Sequence, residues 1–179
     1  MIGFLRFIGV INAAIWLGGA VFFTLSAGPG VFSPDMARAL GESDALFKYH
    51  AGLIAQVLIT RYFRFHLTCA LIAGLHLLAE WLYLGRPSRK IAGGLFATLL
   101  ALTLVGGYVF QPRLTHLHQA IYSSTTRTEQ DAARQSFGVW HGVSQLLNLL
   151  TIGGLTVYVW RTANPGNTAR FISSVKFRG

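Results

Sequence analysis

The chain has 179 residues, of which 53% are hydrophobic and 12% charged, with a formal net charge of +9. That composition places it among integral membrane proteins, and the way the positive charge is distributed argues against nucleic acid as a partner. Its one cysteine, Cys69, excludes an intramolecular disulfide and a four-cysteine zinc site.

The first apolar run, 4–27, is near the roughly 20 residues that cross a hydrocarbon core. It is too long for the apolar part of a signal peptide, so it reads as a retained span. It carries Asn12, Trp16, Gly18 and Gly19 and closes at Gly28-Pro29-Gly30. Ser33-Pro34 then has the form of an N-cap and first helical position, and Gly41 that of a helix stop. From Ser43 a second helical pattern begins, with Asp44, Lys48, Gly52 and Gln56 spaced by four along an apolar helix. Run unbroken to Leu84 it would be roughly 60 Å long, about twice the hydrocarbon thickness. A bend is therefore expected near Thr60–Arg64, with an outer helical segment over 34–60 and a second span over 64–84. Trp81 and Tyr83 suit the aromatic belt at its end.

A short polar turn, Gly85 to Lys90, leads into an uncharged third span over 91–110, which Gln111-Pro112-Arg113 is expected to stop. The segment 113–126 is amphipathic. Thr128 with Asp131 three residues on resembles a capping box and opens the fourth helix, whose span covers 139–160. Glycine pairs at 18–19, 93–94, 106–107 and 153–154 suit close helix packing.

These elements predict a single all-α integral membrane domain: a four-transmembrane-helix bundle with short amphipathic helices on the outer side. One set of exposed segments holds Arg6, Arg86, Arg89, Lys90, Arg161, Arg170, Lys176 and Arg178; the other mixes Lys and Arg with Asp35, Glu42, Asp44, Glu129 and Asp131. By the positive-inside rule both termini are cytoplasmic. The expected location is a bacterial inner membrane, with the basic tail 161–179 able to touch anionic lipid.

In the fourth helix Arg134, Phe137, His141, Ser144 and Asn148 follow steps of three and four and share one face. Polar groups are costly in hydrocarbon, so this stripe should face other helices or a wet cavity. Arg113, Arg134, His141, Ser144 and Asn148 are the expected lining of an outer ligand cavity. Arg61 and Arg64 join Arg113 and Arg134 at the outer ends of the spans, where guanidinium groups suit phosphate and carboxylate. His66 and His141 are expected at comparable depth, so that b-type haem or a metal ion would bridge them. Cys69, three residues after His66, would add a thiolate for copper or zinc. The competing reading has both histidines donating hydrogen bonds between helices. His116 and His118 diverge by about 200° on a helix, against joint ligation. His76 and Glu80 lie one turn apart and should pair, either for structure or as a proton relay. Phosphate-binding glycine loops, Gly-x-Ser-x-Gly and His-Glu-x-x-His are all absent from the sequence, which favours a non-enzymatic role.

The run from Arg134 through Trp140-His141-Gly142 to Asn148 resembles a signature of the transmembrane protein 205-like family, whose bacterial members form a domain of unknown function. Trp16-Leu-Gly-Gly, Tyr62-Phe63 and Gln111-Pro112-Arg113 agree with it, the last with Gln111 where the family tends to have an acidic residue before Pro-Arg, so the resemblance runs from about residue 12 to 160. It implies a four-span membrane protein whose eukaryotic relatives are associated with platinum-drug resistance and secretion. It carries over Pro112, Arg113, Arg134, Phe137, His141, Gly142, Ser144 and Asn148, whereas His116 and His118 depart from its pattern. The expected role is binding or handling of a metal or small ligand at the outer cavity. The alternatives are a b-type haem electron-transfer subunit and a structural subunit of a larger membrane complex.

Overall fold

The computed structural model describes residues 2–41, 43–84 and 90–164, and these are helical throughout apart from short connections. The elements are α1 (Ile2–Phe22), a π-helical turn (Phe23–Ala27), α2 (Gly28–Val31), α3 (Pro34–Leu40), α4 (Asp44–Leu84), α5 (Lys90–Val105), a second π-helical turn (Gly106–Phe110), α6 (Gln111–Ser123) and α7 (Arg127–Ala163). Four helices, Gly3–Val31, Leu46–Tyr83, Ile91–Ser123 and Arg127–Ala163, are long and apolar enough to cross a membrane. The basic turn 85–89 and the tail from 165 onward, which hold five of the eight basic residues expected on the cytoplasmic side, lie outside the described residues, as does Glu42.

The helix ends follow their sequence signals. Ser33 accepts from the Met36 N–H at the start of α3, and Gly41 ends it in the left-handed region at φ 63°, donating to the Ala37 and Arg38 carbonyls. The fourth long helix opens two residues earlier than the Thr128–Asp131 pattern suggests, because Thr126 caps it by accepting from the Glu129 N–H.

Both proline signals act differently from the expected stops. Proline lacks an N–H and its ring crowds the carbonyl four residues back, which normally ends a helix. Here a widened turn precedes each X-Pro step. The Gly28 N–H reaches the Phe23 carbonyl just before Pro29, and the Gln111 N–H reaches the Gly106 carbonyl just before Pro112. The extra residue in the turn moves the crowded carbonyl aside, and helix resumes beyond it. The third span thereby continues into α6 rather than ending at Phe110.

α4 likewise runs unbroken through Thr60–Arg64, where a bend was expected. Two successive residues of α4 face the two widened turns. Tyr62 stacks on Phe23 with ring centroids 4.2 Å apart, and Phe63 lies so close to Gly106 that an added Cβ would stand 2.3 Å from its ring. α1 packs against α4 and α7, while α5 and α6 close the bundle against both. The main core gathers Ala13, Trp16, Ala20, Tyr62, Cys69, Ala70, Ala73, Leu99, Leu155 and Tyr158. A smaller cluster of Val31, Phe47 and Ala51 seats α2 and α3, the cap of the bundle, on the N-terminal part of α4.

Candidate functional site

Polar side chains of three helices meet in the core. Trp16 of α1 is fully buried and donates its indole N–H to His66 Nδ1 at 2.9 Å. Asn12, one turn earlier, donates to the Cys69 carbonyl at 2.9 Å. The Tyr62 hydroxyl donates to Asn148 Oδ1 at 2.6 Å, and Asn148 Nδ2 donates to Thr24 Oγ1 at 2.7 Å. Asn148 thus ties α7 to α4 and to the first π-helical turn. Such interhelical bonds in membranes average below about 1 kcal/mol. Tyr62→Phe should therefore cost about 1 kcal/mol, and Tyr62→Phe combined with Asn148→Leu should cost less than the two single changes added. Thermal unfolding in detergent reads the cycle; strict additivity would show that the two groups do not interact.

The polar stripe of α7 splits in the fold. Asn148 turns inward as described, and Phe137 packs against His118 with centroids 6.4 Å apart. Arg134 is exposed and lies 3.6 Å from Asp131 on its own helix. His141 is exposed, stacks on Phe137 and bonds Gln145; Ser144 donates to the His141 carbonyl. Arg113 is exposed and lies over the Trp140 ring at 5.8 Å. The buried face of α7 runs instead through Ala133, Thr151, Leu155 and Tyr158.

His66, Cys69 and His141 do not converge. Tyr62 meets Asn148, so His141 stands level with Ala55, about 16 Å along the axis from His66 rather than at its depth. An indole N–H only donates, so His66 Nδ1 is an acceptor and the neutral ring carries its proton on Nε2. His66 Nδ1 is taken up by the indole, and Nε2 is buried without a hydrogen-bond partner among the described residues. The structure thus assigns His66 to an interhelical hydrogen bond, as acceptor rather than donor. Among the described residues no three His, Cys, Asp or Glu side chains gather into a metal-binding group. His76 and Glu80 approach to 3.9 Å, beyond hydrogen-bond distance, with His76 buried against Gly9.

A groove does form on the other side of α4. It has a volume of about 250 Å³ and is lined from α4 by Thr60, Phe63, Arg64 and Leu67. Across it stand Thr103 and Leu104 of α5, Gly107 and Tyr108 of the second widened turn, and Gln111. Gln111 Nε2 donates to Thr60 Oγ1 at 3.1 Å across one end. The exposed Arg64 guanidinium has no partner among the described residues. Thr103 spends its hydroxyl on the Leu99 carbonyl, so the other end offers Phe63, Leu67 and Leu104. The groove is therefore polar toward the cap and apolar toward the middle of the bundle. Of the residues that the sequence singles out for binding, only Arg64 takes part. Thr60 stood out only at the start of the expected bend and Gln111 only in the Gln-Pro-Arg step, and neither carried a signal for binding.

A family model described as a domain of unknown function, DUF4149, matches residues 11–123. No curated protein and no solved structure matches the chain.

Proposed function

The chain belongs to the DUF4149 family, and from that premise we propose that it is a non-enzymatic integral membrane protein that binds an amphipathic anion in the groove between α4 and α5. One observation carries the reading: the groove's polarity runs in the direction of a lipid. Arg64, Thr60 and Gln111 stand at the cap end, where a headgroup lies, and Leu67 and Leu104 stand deeper, where a chain lies. Guanidinium is weakly hydrated and suits phosphate and carboxylate oxygens. Exposed Arg61 and Arg113, and Trp140 beneath Arg113, sit near the same level, as interfacial residues do. The charge distribution along the sequence supports cytoplasmic termini in a bacterial inner membrane, so that the groove opens to the outer leaflet. The family match is compatible with the more specific likeness to transmembrane protein 205-like proteins. Small-ligand handling at the outer half, expected from the sequence, is retained but moves from the α7 stripe to this groove.

The test is lipid retention by the purified protein in native mass spectrometry. Arg64→Ala should weaken retention of phosphatidylglycerol about tenfold. Arg61→Ala removes an equal charge one turn away, outside the groove, and should change it less than twofold. Equal losses in both would reduce the effect to general surface charge and sink the proposal.

A further inference from the structure

Directly beyond the polar end of the groove, the interface of α4 and α6 holds buried polar groups with nothing to bond. Two contacts fix its register. Thr60 meets Gln111, and Gly52 meets His118, whose Nε2 would stand 1.9 Å from a Cβ at that position. Gln56 lies one turn from both Gly52 and Thr60, and Thr115 lies between Gln111 and His118, so these two residues occupy the interval. Gln56 Nε2, Thr115 Oγ1 and both ring nitrogens of His118 are buried without a hydrogen-bond partner among the described residues. His118 is 7% exposed and is walled by Tyr49, Tyr122 and Phe137 at centroid distances of 6.1, 5.1 and 6.4 Å. Each such orphan costs free energy, and several in one seam point to a missing partner.

We propose that this seam, closed where His118 lies against Gly52, opens to take the headgroup of a lipid held in the groove, and that the headgroup is a polyol carried on a phosphodiester, as in a lipid with a glycerol or sugar headgroup. The inference rests on the groove reading and narrows its ligand class. The chemistry divides along the seam. Arg64 supplies the fixed charge among the groove's lining residues and meets the phosphodiester. Beyond it stand an amide, a hydroxyl and an imidazole, which donate and accept as hydroxyl groups require. The Thr60–Gln111 hydrogen bond separates the two parts. A ligand hydroxyl donating to Thr60 replaces Gln111 there and frees the amide to swing aside.

Binding of phosphatidylglycerol, phosphatidic acid and phosphatidylethanolamine to the intact protein in nanodiscs tests this. Phosphatidylglycerol should be preferred at least fivefold over each of the others. Thr115→Val with Gln56→Leu should bring its preference over phosphatidic acid close to one while leaving phosphatidic acid binding unchanged. Equal binding of phosphatidylglycerol and phosphatidic acid by the unaltered protein, with Arg64 still required, would overturn the pocket and leave the groove standing. Binding indifferent to Arg64→Ala would overturn the groove and the pocket together. Free glycerol phosphate should fail to displace the lipid; displacement at equal concentration would overturn the lipid class in favour of a soluble polyol phosphate.

Discussion

Trp16→Ala should destabilise the protein by about 3–5 kcal/mol, the range for emptying a buried aromatic site. Trp16 is fully buried and sits edge-on to His66 and Tyr158 at 6.0 and 6.3 Å, so its loss opens a hole where three helices meet. Lipid is as apolar as the side chain, so the loss comes from packing rather than from exposure to water. The indole N–H adds a smaller part. Trp16→Phe keeps most of the volume but leaves His66 Nδ1 without its donor, and should cost about 1–2 kcal/mol. Cys69, 4% exposed in the same core, serves as reporter. Its labelling by a thiol reagent should accelerate in the order unaltered protein, Trp16→Phe, Trp16→Ala. Equal labelling rates in all three would show that Trp16 does not hold this core closed.

Gly19→Ala should cost about 2 kcal/mol, within the range for overpacking, whereas Gly18→Ala should be neutral or slightly stabilising. The two glycines are adjacent in sequence and opposite in surroundings. A Cβ on Gly19 would stand 2.4 Å from the Phe65 ring, whereas one on Gly18 meets nothing within 4 Å. Phe65 packs against the main core, so it has little room to retreat. Unfolding midpoints in detergent would decide the matter, and a loss at Gly18 equal to that at Gly19 would refute the packing account. The expectation that the glycine pairs serve close helix packing is thereby narrowed. Gly94 and Gly153 also face open space, whereas Gly106, Gly107 and Gly154 each meet a side chain of another helix.

What the sequence revealed depended on how local the physics is. The four membrane-crossing helices follow from run length and hydropathy, and Ser33 and Gly41 act through bonds within a few residues of themselves. The prolines misled because a proline stops a helix only if the preceding turn cannot widen, and Phe23–Ala27 and Gly106–Phe110 both widen. The face of α7 was misjudged by a small rotation. Phe137 and Asn148 pack inward, but Arg134 and His141 do not. Spacing by three and four fits two neighbouring stripes almost equally well on a helix with exposed glycines at 138 and 142. The Trp16–His66 bond and the Thr60–Gln111 end of the groove join residues about fifty positions apart. Nothing local marks such pairs, so they become visible only once the helices are packed.

α4 is one uninterrupted helix of 41 residues, about 60 Å of rigid rod where the hydrocarbon needs about half of it. The cap is seated on the N-terminal part of that rod where Val31 packs with Phe47 and Ala51. A helix in a thinner bilayer accommodates by tilting. Here a tilt of the buried half must swing the projecting half by the same angle and carry the seam between Gln56 and Thr115 with it. A rod of this length behaves as a lever, so that a change in bilayer thickness would reach the geometry of its N-terminal end.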